Sequence, residues 1–305
     1  MRIQTFSIVV GTSACDGRCP FCVARMTGLG KLPKRGVIHR PNFEKACELA
    51  RLAGTTTVLM TGKGEPDLYP DEITEYLEFL RPYRFPFIEL QTNALEIGRL
   101  ARDGVSRIHG LTRETLVEWR ANGLNTIAIS VVSHHAEHNR DVYAEDYPQL
   151  ETTIRFLHGF GFTVRLCVMM QRGMMDTLEH VLNLIGFCKY YGVDQLTIRP
   201  IRKPVGSTHD DEAAAYVVAH ELTQPQIEAI RDWVEANGTR LLSLMHGATV
   251  YDVGGQNVCL SDCLTVNAPK DGDDIRTLIF YSDGRLTYDW QHPGAVLLGP
   301  GRPAA

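Results

Sequence analysis

The sequence has no long apolar run and no low-complexity segment before its last few residues. No stretch approaches the roughly 20 apolar residues of a membrane-spanning helix, and the opening run is too short for the core of a secretion signal. The formal net charge of -5 argues against a general nucleic-acid binder with a basic surface. We therefore expect a cytoplasmic protein that binds neither a membrane nor a nucleic-acid polymer.

Cysteine is sparse for a disulfide-stabilised chain. The eight cysteines among 305 residues form no obvious disulfide framework. Three of them, Cys15, Cys19 and Cys22, nevertheless lie within eight positions. A disulfide requires an even number of cysteines, and a structural zinc site usually requires four ligands. Clustered cysteines in a reduced compartment more often bind a metal or take part in chemistry.

Short apolar runs, often β-branched, alternate with amphipathic runs from residue 4 to residue 201. This alternation predicts βαβ units and a parallel sheet. The predicted strands are QTFSIVV, TTVLM, FIELQT, NTIAISVV, TVRLCVMM and QLTIRPI. A closed barrel of eight strands normally needs about 250 residues, so we predict an α/β fold with an open, partial (β/α)6 TIM-like barrel.

Two of the predicted helices have recognisable caps. The helix of residues 42–54 is expected to have Asn42 as its N-cap and Gly54 as its C-cap. The helix after Thr112 is expected to lack a strict capping box, because the residue three positions on is Thr115 rather than Glu or Gln.

From about residue 206 the sequence pattern changes. A helix is predicted over 224–238, and a hairpin over 278–290 with Asp283 and Gly284 at its turn. No glycine-rich linker separates the two parts. We therefore predict a barrel of residues 1–205 and an α+β extension of residues 206–305, which packs on the barrel and contributes to substrate binding.

The polar motifs lie on the predicted strands or directly after them. In a parallel barrel the carboxyl ends of the strands form the catalytic mouth. The cysteine loop follows the first strand, TGKGEP (61–66) follows the second, and QTNA (91–94) ends the third. Ser130, Arg165 and Arg199 lie on the fourth, fifth and sixth strands. This coincidence predicts one site at that rim.

A cubane iron–sulfur cluster explains why one loop would carry three thiolates. The cluster ordinarily takes four thiolates, so three leave one iron without a protein ligand. An open coordination position is what a catalytic metal site keeps. Gly17 is expected to let the loop bend, and Pro20 to fix its path.

The loop Cys15-x3-Cys19-Pro20-Phe21-Cys22 resembles the signature of the radical S-adenosylmethionine (SAM) superfamily, including the aromatic residue before the last cysteine. TGKGEP is similar to the glycine–glycine–glutamate motif of that family. The resemblance covers roughly residues 5–205 and is nearest to the branch of the molybdenum-cofactor cyclase, viperin and many peptide-modifying enzymes. It implies a [4Fe–4S] cluster reduced by a donor such as flavodoxin or ferredoxin. It also implies SAM cleavage to a 5′-deoxyadenosyl radical, which abstracts hydrogen from the substrate.

The resemblance further implies a role for each motif residue. Cys15, Cys19 and Cys22 would hold the cluster, and Glu65 would stay ionised to accept a hydrogen bond from the SAM amine. The remaining cofactor-binding candidates are Phe21 near the adenine, Gly62, Lys63 and Gly64 through their backbone, Asn93 beside the site, Ser130 at the ribose, Arg165 at the SAM carboxylate, and Arg199.

Some of these residues have simpler interpretations. The cysteine loop could hold zinc with His39 or Cys47 as a fourth ligand, although no second ligand cluster is nearby. Glu65 could be a charge at the start of a helix. Arg165 lies within an apolar strand and could pair with a structural carboxylate.

The other histidines and cysteines also have competing interpretations. The histidines of SHHAEHNRD (133–141) could bind a metal or contact substrate, but we favour a solvated loop. Free cysteine commonly packs as a small hydrophobe, which is the favoured interpretation of Cys47, Cys167 and Cys188.

Cys259 and Cys263 raise the question of an auxiliary cluster. Many relatives in this branch carry one, with a glycine, four residues and then a cysteine. Here Gly284 is followed at that spacing by Asp289. A second cluster would need Asp289 or an open iron, so we favour a packed pair or the remnant of a lost site.

Cations near the rim favour an anionic substrate. They are Lys31, Lys34, Arg35, Arg40, Arg199, Arg202 and Lys203. We predict a phosphorylated or nucleotide-like small molecule in a biosynthetic pathway. Radical modification of a ribosomally made peptide is the alternative within the enzyme class, and a non-catalytic zinc-binding module is the alternative outside it.

Overall fold

The computed structural model describes residues 2–27, 32, 38–102, 104–204, 211–244, 247–261 and 274–301. Strands and helices alternate over most of this length. The strands are β1 (Ile3–Val9), β2 (Thr57–Thr61), β3 (Phe87–Thr92), β4 (Arg107–Ile108), β5 (Leu111–Thr112), β6 (Thr126–Val131), β7 (Thr163–Met170), β8 (Gln195–Pro200), β9 (Thr239–Ser243), β10 (Thr249–Val253), β11 (Gln256–Leu260), β12 (Ile275–Tyr281), β13 (Leu286–Thr287) and β14 (Val296–Leu298). The helices are α1 (Val23–Met26), α2 (Arg40–Leu52), α3 (Pro70–Leu80), α4 (Leu95–Ala101), α5 (Arg113–Ala121), α6 (Ala136–Val142), α7 (Leu150–Gly159), α8 (Leu178–Tyr191), α9 (Asp211–His220) and α10 (Gln224–Asn237).

The six predicted barrel strands are all present and parallel. They are neighbours in the order β1, β2, β3, β6, β7 and β8. Within the described chain β1 and β8 do not pair with each other, so the sheet is open. The predicted partial α/β barrel is therefore confirmed.

The C-terminal region adds strands to both edges of this sheet. β12 pairs in parallel with β1, and β11 pairs in parallel with β8. β13 and β14 continue the sheet beyond β12, and β10 and β9 continue it beyond β11. The predicted hairpin is also confirmed, because β12 and β13 are antiparallel and Gly284 has a φ of 88° in the turn between them. The domain division at residue 205 stays a prediction.

Side chains alternate between the two faces of the sheet. On β7 the residues that pack among the helices are fully buried, and they are Val164, Leu166, Val168 and Met170. The other β7 residues are half-buried on the opposite side, which we call the inner face. Because side chains alternate between the two faces along a strand, every second residue of a barrel strand lies on the inner face. A small second cluster of Val9, Ile279 and Tyr281 lies apart from the main core.

The N-cap prediction for α2 is wrong. His39 caps the helix, and its Nδ1 accepts a hydrogen bond from the Asn42 amide at 3.4 Å. The Asn42 side chain instead donates to the Gly284 carbonyl at 2.8 Å, which ties α2 to the β12–β13 turn. At the other end Ala53 is the C-cap, and Gly54 follows it with a φ of 81°.

Thr112 caps α5 as predicted, but a capping box is present after all. The Thr115 amide donates to the Thr112 hydroxyl at 3.2 Å, and the Thr112 amide donates to the Thr115 hydroxyl at 3.3 Å. A threonine hydroxyl thus takes the place of the usual carboxylate. In the described part of the chain, no helix has the length and apolar character to cross a bilayer.

Candidate functional site

The cysteine loop and the TGKGEP segment contact each other directly. The Gly64 amide donates to the Thr12 carbonyl at 3.1 Å, and the Glu65 amide donates to the Ala14 carbonyl at 2.9 Å. A Cβ atom at Gly64 would lie 2.0 Å from the Ala14 carbonyl oxygen. Because no side chain fits there, glycine at this position allows the two loops to meet backbone to backbone.

The three cysteine sulfurs lie at the carboxyl end of β1. The Cys19 thiol donates to the Cys22 sulfur, which lowers the pKa of Cys22 to about 6 and raises the pKa of Cys19. The Cys15 sulfur accepts from the Gly17 amide at 3.3 Å, but burial still raises the pKa of Cys15 to about 12. The hydrogen bond between the two residues therefore favours the thiolate form at Cys22 rather than at Cys19.

The sulfurs of the three cysteines do not form one set of mutually close ligand atoms in the described chain. Tetrahedral Zn–S bonds of about 2.3 Å place the bound sulfurs about 3.8 Å apart. Among the described residues, the ligating atoms that lie within 4.8 Å of one another come from Cys15, Asp16 and Glu65, not from the three cysteines. A cubane cluster binds each thiolate at a different iron and so accepts wider spacing.

The two fourth ligands considered for zinc lie elsewhere. His39 caps α2, where its ring is close to Gly284. Cys47 is fully buried in the main core. Neither residue belongs to the set of ligating atoms at the cysteine loop within the described ranges, so the structure gives the zinc interpretation no support.

Glu65 is a buried carboxylate with two backbone donors. Its side chain accepts from the Asp67 amide at 3.2 Å and from the Asn93 amide at 2.9 Å. It caps the 3-10 turn Pro66–Leu68, so it has the structural contact considered from the sequence, and its role toward SAM stays a prediction. Burial raises the pKa of Glu65 to about 7, although both amides oppose the rise. The same carboxylate also lies within 4.8 Å of the Cys15 sulfur, so it faces the cysteine loop.

Asn93 connects this carboxylate to the cysteine loop. Its amide group donates to Asp16 at 2.9 Å, and Arg99 donates to the other Asp16 oxygen at 3.1 Å. Arg99 also binds the fully buried Glu96 and, at 2.8 Å, Asp146. The sequence prediction missed Asp16 and Arg99, and the only signal for Asp16 was its place directly after a cysteine.

Lys63 has a structural contact that the motif did not suggest. Its ammonium group donates to the Ala24 carbonyl at 3.2 Å and to the Thr27 carbonyl at 2.5 Å. These carbonyls end α1, the short helix that follows Cys22. Lys63 therefore fixes the far side of the cysteine loop through its side chain.

Phe21 and Gly17 are both closely packed. Phe21 is buried, with its ring centroid 6.4 Å from that of Tyr216 on α9. Gly17 does not have a positive φ, so the expected bend does not depend on the left-handed region. Its glycine identity matters because a Cβ would lie 3.2 Å from Asn93 Nδ2 and 3.6 Å from the Tyr143 ring.

Arg165 has the structural carboxylate partner considered from the sequence. Its Nη1 lies 3.0 Å from Glu89, and its Nε donates to Gln195 at 2.9 Å. These contacts place Glu89, Arg165 and Gln195 on the inner face. Ser130 is half-buried on β6 in register with Cys167 of β7, and its hydroxyl makes no hydrogen bond within the described chain.

Cys167 and Cys259 lie on the inner face rather than in the helical core. Thr197 of β8 lies between them in register. Burial raises the pKa of Cys167 to about 11, and nearby Arg165 and Arg199 oppose that rise. Packing as a small hydrophobe fits Cys47 and Cys188, which are fully buried, better than it fits Cys167.

The remaining candidate ligands of an auxiliary cluster do not form a site among the described residues. Cys263 lies outside the described residues. Asp289 accepts from the amides of Gln291 at 2.7 Å and His292 at 2.8 Å, so its carboxylate caps a turn. The favoured packed pair or lost site, and the alternative of an auxiliary cluster, all stay predictions.

The loop prediction for residues 133–141 is wrong from Ala136 onward, because that part is α6. The rings of His134 and His135 contact each other in a tilted arrangement, with centroids 4.0 Å apart and 38° between their planes. Burial lowers the pKa of His134 to about 4. Nδ1 of His134 and Nδ1 of His138 are buried and have no hydrogen-bond partner among the described residues. In the described chain these histidines do not form a set of three converging ligands.

The rim cations have different fates. On α2, Arg40 pairs with Glu44 at 2.8 Å, and its guanidinium group lies over the ring of Phe79 on α3. Lys31, Lys34 and Arg35 lie outside the described residues. Arg202 and Lys203 follow β8, and Arg199 lies on it.

Comparison with known proteins matches the barrel part of the chain to one family. The family described as the Radical SAM superfamily matches residues 9–187. The chain is 26% identical over 216 residues to a GTP 3′,8-cyclase of Aquifex aeolicus (strain VF5), a match that covers 69% of this chain and 60% of that protein.

Solved structures show the same fold. Streptococcus suis SuiB bound to S-adenosylmethionine matches with a TM-score of 0.57 and 14% identity, over 93% of this chain and 60% of that one. SuiB bound to its precursor peptide SuiA matches with a TM-score of 0.52 and 13% identity, over 94% and 59%. The chain thus spans about 60% of the length of these relatives.

Proposed function

Because the chain belongs to the radical SAM superfamily, we propose that it is an enzyme that binds a [4Fe–4S] cluster and SAM at the barrel mouth. The observation that carries the proposal is the direct backbone junction between the cysteine loop and the Gly62–Glu65 segment. When bound, the cluster supplies one electron to SAM, whose cleavage gives methionine and a 5′-deoxyadenosyl radical that takes a hydrogen atom from the substrate. A flavodoxin or ferredoxin is the proposed electron source.

In this proposal the chain holds the cofactors with groups that are already fixed. Cys15, Cys19 and Cys22 are the cluster ligands. The two amides that bind Glu65 hold its carboxylate in one orientation, where it accepts a hydrogen bond from the SAM amine. Asn93 supports the site through Asp16 rather than by touching the cofactor.

The inner face supplies the remaining contacts to SAM. Ser130 is the proposed partner of the ribose. Arg165 reaches the SAM carboxylate through Nη2, for which the described chain provides no partner, while Glu89 and Gln195 fix its other nitrogens. An arginine held in this way loses little side-chain entropy when it binds the ligand.

We propose an anionic small molecule, phosphorylated or nucleotide-like, as the substrate. Arg199 brings to the inner face a guanidinium group that has no carboxylate partner among the described residues, whereas Arg165 is paired with Glu89. The similarity to a GTP 3′,8-cyclase, which by its name acts on a nucleotide, supports the same class. The alternative, a peptide substrate, rests on the fold likeness to SuiB alone.

The test replaces one proposed ligand and follows both iron and SAM. Anaerobically reconstituted wild-type protein is expected to contain about four irons and four sulfides per chain and to form 5′-deoxyadenosine from SAM with dithionite. Cys19→Ala is expected to reduce 5′-deoxyadenosine to the background level, because an iron loses its thiolate.

Cys188→Ala is the matched control, since this cysteine is buried in α8 away from the cysteine loop. It is expected to keep the wild-type iron content and 5′-deoxyadenosine yield. Wild-type protein that holds one zinc and no sulfide, or a Cys19→Ala variant that still cleaves SAM, would contradict the proposal.

A further inference from the structure

Arg199 is an arginine for which the described residues provide neither a hydrogen-bond partner nor an ion-pair partner. Its Nε is buried and makes no hydrogen bond, and the described chain offers no ion pair to its guanidinium group. It lies near the carboxyl end of β8, in register with Met169 of β7. The other inner-face arginine, Arg165, has both a carboxylate and an amide partner.

The side chain of Arg199 belongs to the inner face. On β8 it lies two and four residues beyond Thr197 and Gln195, and residues at this spacing share a face of the sheet. Gln195 contacts Arg165 on that face. Arg199 also lies close enough to the Cys167 sulfur to lower its pKa. The guanidinium group is therefore near the layer of the mouth formed by Cys167, Thr197 and Cys259.

A half-buried guanidinium group without a partner is costly, because it has given up part of its water without gaining a counter-charge. Arginine presents its donors in a planar fork that fits a carboxylate or a phosphate group. A bound anion would satisfy these donors, and the residues that the structure describes do not supply one.

Two ligands could bring such an anion, SAM through its carboxylate and the substrate. The groups assigned to the cluster and to SAM follow β1, β2 and β3 or lie on β6 and β7, where Arg165 is the proposed partner of the SAM carboxylate. Arg199 lies on the far side of β6 and β7, next to β11 of the C-terminal region. Its place in the sheet therefore favours the substrate.

We propose that Arg199 binds the phosphate or carboxylate group of the substrate and so sets the charge class that the enzyme accepts. This inference rests on the proposed function, because it assumes that the substrate enters the same mouth as SAM. Arg165, which Glu89 already neutralises, contributes less to that selection.

Inorganic phosphate is the probe, titrated calorimetrically into the cluster-loaded protein with SAM present. Wild-type protein is expected to bind phosphate, and Arg199→Gln to bind it at least about tenfold more weakly, because a charge-assisted contact is lost. Arg199→Lys is expected to lie between the two, since an ammonium group keeps the charge without the fork. Arg51→Gln is the matched control, the same change at an exposed arginine on α2, and is expected to bind phosphate like the wild type.

Iron content, sulfide content and the SAM dissociation constant are measured on the same samples. Wild-type values of all three in Arg199→Gln, together with weak phosphate binding, support the proposal. Undetectable phosphate binding by the wild type, equal binding by Arg199→Gln, or a loss of SAM affinity in place of phosphate affinity would overturn it. Wild-type protein without SAM cleavage would instead refute the proposed function, and Arg199-dependent phosphate binding would still stand.

Discussion

Gly64 is the residue at which the smallest change should have a large effect. A methyl group there would lie 2.0 Å from the Ala14 carbonyl oxygen, which is backbone and cannot rotate away. Gly64→Ala is expected to cost about 1–3 kcal/mol in the free energy of unfolding and to lower iron uptake, because the cysteine loop must shift. Urea unfolding and iron analysis after reconstitution measure the two effects.

Gly186→Ala is the control for that substitution. Gly186 lies within α8, and a Cβ there would meet no atom within 4 Å. Alanine is the better helix former, so this variant is expected to be unchanged or up to about 1 kcal/mol more stable. A Gly64→Ala protein as stable and as iron-rich as Gly186→Ala would show that the two loops tolerate separation.

Single residues were predictable where the role depends on local sequence. Thr112 as a helix cap follows from its neighbours, and it is confirmed. The partners of Arg165 and Asp16 come from strands and helices far along the chain, Glu89 for the first and Arg99 for the second. Such pairs depend on how the elements pack, which one sequence does not reveal.

At the scale of elements, Arg99 of α4 connects three separate parts of the chain. It binds Asp16 in the cysteine loop, Glu96 in its own helix, and Asp146 ahead of α7. Arg99→Met is expected to lower the free energy of unfolding by about 2–4 kcal/mol, because the fully buried Glu96 would keep only His109 as an ion-pair partner among the described residues. The lower part of that range allows for the half-exposed Asp146.

Denaturant unfolding of cluster-free protein measures this loss. The double variant Glu96→Gln with Arg99→Met should recover part of it, since the buried carboxylate that has lost its arginine partner is then gone. A loss below about 0.5 kcal/mol in Arg99→Met would place the ion pairs among those that contribute little.

The barrel elements were predictable because hydrophobic period and helix caps are local signals. The predicted and observed bounds of β3 and β7 coincide. The start of α2 was misplaced because asparagine is a preferred cap residue and histidine is not, whereas in the structure the distant β12–β13 turn holds Asn42 and His39 caps the helix. The helix α6 was missed because SHHAEHNRD is polar and lacks helical periodicity.

For the whole molecule, the barrel depends on the C-terminal region for its edges. β12 pairs with β1 over Ile3–Val9, and β11 pairs with β8. A shortened chain that ends at Pro204 would leave both edges unpaired, and exposed parallel edges promote association between chains. We expect this chain to aggregate, as measured by size-exclusion chromatography and circular dichroism.

A chain that ends at Gly301 is the control for shortening and should elute and unfold like the full chain. A shortened chain to Pro204 that is monomeric and unfolds cooperatively would contradict the expectation. It would also show that the predicted barrel of residues 1–205 is an independent domain.

The pairing of β1 with β12 has a consequence for biosynthesis. The two strands lie 272 positions apart at Ile3 and Ile275, and a ribosome adds about 5–20 residues each second. β1 is therefore synthesised on the order of tens of seconds before β12, its partner at that edge of the sheet. During that interval the edge of the sheet beside the three thiols has no partner strand. We therefore expect iron and sulfide to be loaded after release of the completed polypeptide.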